Sequence, residues 1–143
     1  SCLGAGGEVI GVIPQALAKK ELAHRGLTEL IVVRSMHERK QMMADRADAF
    51  IALPGGIGTL EEVIEVFTWL QLHFHEKPIG LLNTAGYYDK LLEFLGHMSD
   101  EKFLKPEQRK MLLVDESPKR LLEKLRDFQP QQIDKWLEKR GGT

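Results

Sequence analysis

Pro54-Gly55-Gly56-Ile57-Gly58-Thr59-Leu60-Glu61-Glu62 is the stretch on which the reading of this chain turns. Before it lies an apolar run, Ala49-Phe50-Ile51-Ala52-Leu53, that reads as a buried strand. After it, Leu60, Val63, Ile64, Phe67, Leu70 and Phe74 recur at helical spacing, so a helix is expected from Leu60 to about Phe74. Glycines between a strand and a helix let backbone N–H groups approach a ligand closely and tolerate positive φ. Thr59 falls where the helix is expected to begin, so free N–H groups and the helix dipole would both favour an anion. The pattern is not a Walker loop, because the Gly-Lys-Ser/Thr ending is absent. Nor is it the dinucleotide fingerprint, since Glu61 stands where the third glycine belongs. The stretch therefore reads as a phosphate-binding turn in a protein that handles a nucleotide.

Outward from this turn, strand and helix patterns alternate. Glu8 to Ile13, Glu29 to Val33, Pro78 to Leu82 and Met111 to Val114 read as further strands, the last at an edge. Helices are expected over Gln15 to His24, Met36 to Ala47, Tyr87 to Met98, Pro118 to about Phe128 and Gln131 to about Arg140. Ser1 to Gly7 reads as the end of a helix closed by a glycine C-cap, as if something upstream were missing. The alternation predicts an α/β, Rossmann-like fold: a parallel sheet with helices on both faces. The nearly all-apolar strands suit burial on both sides. The 143 residues fit one domain, 1–143, with 43% hydrophobic and 29% charged residues.

A net charge of -1 leaves no global field for nucleic acid or an acidic membrane, so any anion site must be local. No apolar run approaches the roughly 18 residues of a membrane span. The one cysteine, Cys2, permits neither an internal disulfide nor a cysteine metal cluster, which suits a reducing cytoplasm.

Ligands in such sheets bind at the carboxyl ends of the strands. A second loop stands there, Arg34-Ser35-Met36-His37-Glu38-Arg39-Lys40. Ser35 and Glu38 fit a capping box, and so do Thr59 and Glu62. For Glu62 the capping reading and a catalytic reading stand level. Arg34, Arg39 and Lys40 place cations at a helix start, where the dipole disfavours each by ~0.3–1 kcal/mol. A bound anion would offset that cost; a solvated basic face is the simpler reading, more natural for Lys40 than for Arg39. Both loops are expected on one sheet edge, so that Arg39 and Glu62 face one ligand. His73 and His75 do not share a helix face, and packing suits them better than a metal role. Trp69 and Val66 lie off the main apolar stripe of their helix, which suggests a surface for a second copy of the chain; burial on two sides within one copy is the alternative.

These residues resemble the LONELY GUY family, the cytokinin riboside 5'-monophosphate phosphoribohydrolases once misnamed lysine decarboxylases. The P-G-G-x-G-T-x-x-E motif is complete from Pro54 to Glu62, and M-H-x-R-K from Met36 to Lys40. Gly6 to Pro14 and Lys77 to Tyr88 are similar as well. The resemblance implies a Rossmann-like homodimer without cofactor or metal. The implied reaction is hydrolysis of the N-glycosidic bond of a nucleoside 5'-monophosphate to free base and ribose 5-phosphate. It implies Arg39 and Glu62 as the catalytic pair. Gly55, Gly56, Ile57, Gly58 and Thr59 would hold the phosphate, with Leu60 and Glu61 in the same motif. Lys40, Glu21 and Thr68 match positions lining the nucleotide site. The resemblance also implies a strand, a Gly-Gly-Gly turn and a Gly-Leu-Met-Gly helix ahead of Ser1. An AMP nucleosidase of broader specificity fits the same motifs. A non-catalytic nucleotide or molybdenum-cofactor carrier is the reading from a different class; neither nucleic acid nor a membrane is an expected partner.

Overall fold

A computed structural model describes residues 2–18 and 26–130. Glu21 and the helix expected from Gln131 lie outside the described residues. The chain divides into two compact units, Ser1–Ala47 and Asp48–Thr143.

In the first unit a short 3-10 turn, Leu3–Ala5, is closed by Gly6 at φ 78°, whose N–H bonds the Leu3 carbonyl at 3.0 Å. This is the glycine closure expected of the opening residues. Strand β1 (Ile10–Pro14) leads into α1 (Gln15–Ala18), and β2 (Glu29–Val33) into α2 (Met36–Arg46). β1 and β2 pair in parallel, with Ile10 opposite Glu29 and Pro14 opposite Val33. Thr28 Oγ1 accepts from the Val9 N–H at 2.9 Å and fixes the entry to the ladder. Ile13, Val33 and Ala44 are buried, whereas Leu30 and Val32 on the alternate positions of β2 are half exposed, at 50% and 53%. Burial on both faces, expected of every strand, does not hold for β2.

The second unit is a three-stranded parallel sheet in the order β3-β4-β5, built from β3 (Phe50–Ala52), β4 (Ile79–Leu82) and β5 (Leu112–Asp115). Its helices are α3 (Ile57–Gln71), α4 (Asp89–Asp100), α5 (Pro106–Lys110) and α6 (Pro118–Arg126). On one face Ile79 and Leu81 join Val63, Phe67 and Leu70 of α3, Leu95 of α4 and Leu112 of β5 in the core. Successive strand residues point to opposite faces, so Gly80 looks the other way. A Cβ there would stand 2.8 Å from Leu121 Cδ1 of α6. Helices thus cover both faces of β4, as expected. Leu70, Ile79, Leu81 and Leu121 are the largest fully buried side chains, each contributing ~1.5–3 kcal/mol by leaving water.

Among the described residues the five strands overlap the apolar runs, with β1 starting two residues later than expected and taking in Pro14, and β5 shifted one residue on. The short α5 has no apolar period to reveal it; its Pro106 start is the one local signal. Past α3 the chain turns through His73 at φ 59°. His75 then closes the turn, its Nδ1 accepting from the Lys77 N–H at 3.1 Å. Nε2 must therefore carry the hydrogen donated to the Val66 carbonyl at 2.9 Å. Burial pushes the imidazole below its ordinary value; the Val66 carbonyl opposes this and Lys77 adds to it. Hydrogen bonds within the turn and packing against Phe50, ring centroids 5.4 Å apart, are what the structure gives His75.

Candidate functional site

The glycine stretch links β3 to α3. Gly56 is the N-cap of α3, with φ -87° and ψ -161°, and no side chain caps the helix. The helix therefore starts at Ile57, three residues earlier than the apolar spacing predicts. Thr59 is the third helical residue and not the cap, so Thr59 and Glu62 do not form the expected capping box. That removes the capping explanation of Glu62. None of Gly55, Gly56 and Gly58 has positive φ; the chain passes directly from extended to helical backbone. What the glycines supply here is space. A Cβ on Gly55 would collide with Thr59 Oγ1 and stand 2.9 Å from Thr59 Cβ. A Cβ on Gly56 or Gly58 would meet nothing within 4 Å, so the missing side chains leave the helix start open to an incoming group. The first-turn N–H groups have no partner within the helix.

Two residues that sequence reasoning quoted but gave no role hold this turn in place. Tyr87 Oη donates to the Gly55 carbonyl at 2.6 Å, and Tyr88 Oη to the Leu53 carbonyl at 2.6 Å. Their rings meet edge to face at 5.0 Å. Burial, and then Tyr87, push the Tyr88 phenol up, which keeps its hydroxyl a donor. Both tyrosines project from a tight loop after β4. Asn83, only 7% exposed, anchors that loop: its Oδ1 accepts from Tyr88 N at 2.7 Å and its Nδ2 donates to Asp89 Oδ1 at 2.8 Å. Ala85 at φ 51° and Gly86 at φ 70° make the bend. Between the glycine turn and this loop lies a cavity of about 320 Å³, lined by Gly55, Gly56, Ile57, Leu60, Tyr87, Tyr88 and Leu91. Ile57 is 82% exposed there, an apolar side chain with little of its own fold to cover it.

Further along α3, Glu61 is exposed and Glu62 half buried. Thr68 donates its hydroxyl to the Ile64 carbonyl at 2.8 Å, one turn back. Val66 packs against the core.

In the first unit the basic loop takes the capped form. Ser35 is the N-cap of α2, and its Oγ accepts from Glu38 N at 3.1 Å. Glu38 reaches back to the N–H of Arg34, at 2.7 Å, one residue before the cap. The capping box is thus formed, shifted by one donor. Glu38 also places the chain's own negative charge in the first turn, which the dipole favours. Arg39 is half buried and its Nε donates to the Val12 carbonyl of β1 at 3.1 Å. This is not a freely solvated guanidinium. Lys40 is half buried, while Arg34 and His37 are exposed.

Residues 1–125 match a family model described as "Possible lysine decarboxylase". Among similar proteins, a probable cytokinin riboside 5'-monophosphate phosphoribohydrolase of Oryza sativa subsp. japonica is 48% identical over 126 residues, 88% of this chain and 52% of the relative. A cytokinin riboside 5'-monophosphate phosphoribohydrolase of Arabidopsis thaliana is 49% identical over 126 residues, 88% of this chain and 55% of the relative. Another from the same plant is 49% identical over 125 residues, 87% of this chain and 59% of the relative. The chain spans a little over half the length of the curated relatives it matches.

Proposed function

Because the chain belongs to the family described as "Possible lysine decarboxylase", which includes the LONELY GUY enzymes it resembles, we propose that it hydrolyses the N-glycosidic bond of N6-substituted AMP. The products are the free base and ribose 5-phosphate. The observation that carries this reading is the open start of α3. Gly56 caps the helix without a side-chain acceptor, and space stands above Gly56 and Gly58 where a phosphate can meet first-turn N–H groups. The relatives' names supply the substrate class, and none of the three is named a decarboxylase.

Departure of the base builds positive charge on the ribose. A carboxylate beside the anomeric carbon stabilises that charge and deprotonates or orients a water. Glu62 takes this role. Arg39 stays protonated in proteins, so it positions substrate and stabilises negative charge, and it is not the proton donor. Lys40, Glu61, Leu60 and Thr68 complete the substrate contacts, with Glu21 from outside the described residues. The working form is a homodimer in the cytoplasm. Among the described residues no helix is long and apolar enough to cross a membrane.

The test is the product formed from N6-isopentenyl-AMP by the intact protein. Free base with ribose 5-phosphate is expected. A riboside released after loss of phosphate defeats the proposal. Equal rates on AMP and on its isopentenyl derivative would turn the reading to a broad AMP nucleosidase.

A further inference from the structure

We propose that the Tyr87 hydroxyl is a positioning group for phosphate recognition. It locks the Gly55–Gly56 peptide in the orientation that directs the Gly56 N–H at the bound anion. The inference rests on the phosphate reading of the turn given above.

The argument begins with the peptide plane. In a trans peptide the C=O of one residue and the N–H of the next point in opposite directions, and the described residues contain no cis peptide. Tyr87 Oη holds the Gly55 oxygen at 2.6 Å. The Gly56 N–H therefore points away from Tyr87. Rotating that plane by half a turn would change ψ at Gly55 and φ at Gly56, the two positions where no Cβ resists. The flipped plane presents a carbonyl where the phosphate needs a donor. A Gly-Gly link that leaves room for a ligand is thus also the link most easily turned the wrong way. Something outside the link must hold it, and the Tyr87 hydroxyl does so across 32 residues of sequence.

Tyr87 is placed for this purpose and not for burial. It is 55% exposed, so its hydroxyl would find water without the carbonyl. Its neighbour supplies the control. Tyr88 makes a bond of the same length to the Leu53 oxygen, but the next nitrogen belongs to Pro54 and carries no hydrogen. Fixing that plane aims no donor at anything. Tyr88 is 5% exposed and belongs to the core. Two adjacent tyrosines thus make the same bond, and only one of them orients a donor.

The experiment uses the intact protein, with Tyr87→Phe and Tyr88→Phe variants that keep both rings. Ribose 5-phosphate binding, plain ribose binding, the KM and kcat for the nucleotide, and the melting temperature are measured for each. Tyr87→Phe is expected to weaken ribose 5-phosphate about 10-fold, the scale of one hydrogen bond to a charged oxygen. KM rises by a similar factor, while kcat and plain ribose binding stay near the unsubstituted values. Tyr88→Phe is expected to lower the melting temperature and to weaken ribose 5-phosphate less than Tyr87→Phe does. Unaltered ribose 5-phosphate binding in Tyr87→Phe overturns the inference alone. So does an equal weakening toward plain ribose, which would mean a loosened loop; this readout serves even if Tyr88→Phe does not fold. Failure of the unsubstituted protein to bind ribose 5-phosphate overturns the phosphate reading, and the inference with it.

Discussion

After β2 the chain enters α2 through Ser35, whose hydroxyl takes the Glu38 N–H, while the Glu38 carboxylate takes the N–H of Arg34. After β3 it enters α3 through Gly56, which has no side chain to offer. Both turns follow a parallel strand and both open a helix of eleven residues or more. The first satisfies its own donors and brings its own negative charge. The second leaves donors, dipole and space in place. A helix start that the chain could have capped, and does not, is where an outside anion has something to gain. Glycine is thus informative at Gly56 and Gly58 through what it omits, and its φ there is one that any residue adopts.

The contrast can be broken most forcefully at Glu62. With the capping box excluded, Glu62→Gln is expected to cut hydrolysis by about 100-fold or more, the range for a lost general base. Hydrolysis that survives while the melting temperature falls would make Glu62 structural and empty the second turn of its chemistry. The next test gives α3 the kind of cap that α2 has. Gly56→Ser should add a few tenths of a kcal/mol of stability, the known gap between serine and glycine at this position. It should also weaken ribose 5-phosphate by about 10-fold, since the new hydroxyl competes for the same donors. Tighter phosphate binding in Gly56→Ser would contradict the competition. The converse change, Ser35→Ala, is expected to cost ~1 kcal/mol in chemical denaturation, the usual cost of a lost serine cap.

The smallest effect lies at the far end of α3. Neutral His75 is favoured by the fold, so its imidazole sits below the ordinary value. The unfolded chain then binds more protons through the histidine range, and stability falls as pH drops below about 6.5. Replacing His75 by glutamine should flatten that part of the stability profile against pH. A slope that persists unchanged would assign it to other groups.

Much of this was legible in local sequence, and the reason differs from place to place. β2 lies within the very residues that its apolar run marks, and the Ser35–Glu38 cap follows from spacing alone. α3 begins earlier than its apolar stripe because Ile57 and Gly58 are helical without contributing to that stripe. Glycines read as a loop when nothing else fixes their conformation. The roles of Tyr87 and Tyr88 were beyond local reading, since their hydroxyls meet carbonyls 32 and 35 residues away. Only the sheet order, with β3 beside β4, brings those partners together. The paired motifs assign Arg39 and Glu62 to one reaction, and the Glu62→Gln measurement tests the Glu62 half of that assignment.

Gly80 carries a consequence of another kind. With Leu121 Cδ1 2.8 Å from where a Cβ would be, α6 rests directly on the backbone of β4. A change at one position is therefore felt at the other. A lineage that acquires alanine at position 80 must let the Leu121 side chain turn aside, thin it, or tolerate a displaced α6 in the interim. Because Arg120 and Lys124 of that helix grip Asp115 at 2.8 Å and 3.0 Å, the displacement would also pull on the end of β5. The order of substitutions here therefore matters: the same pair of changes costs less when the side chain at 121 is thinned first.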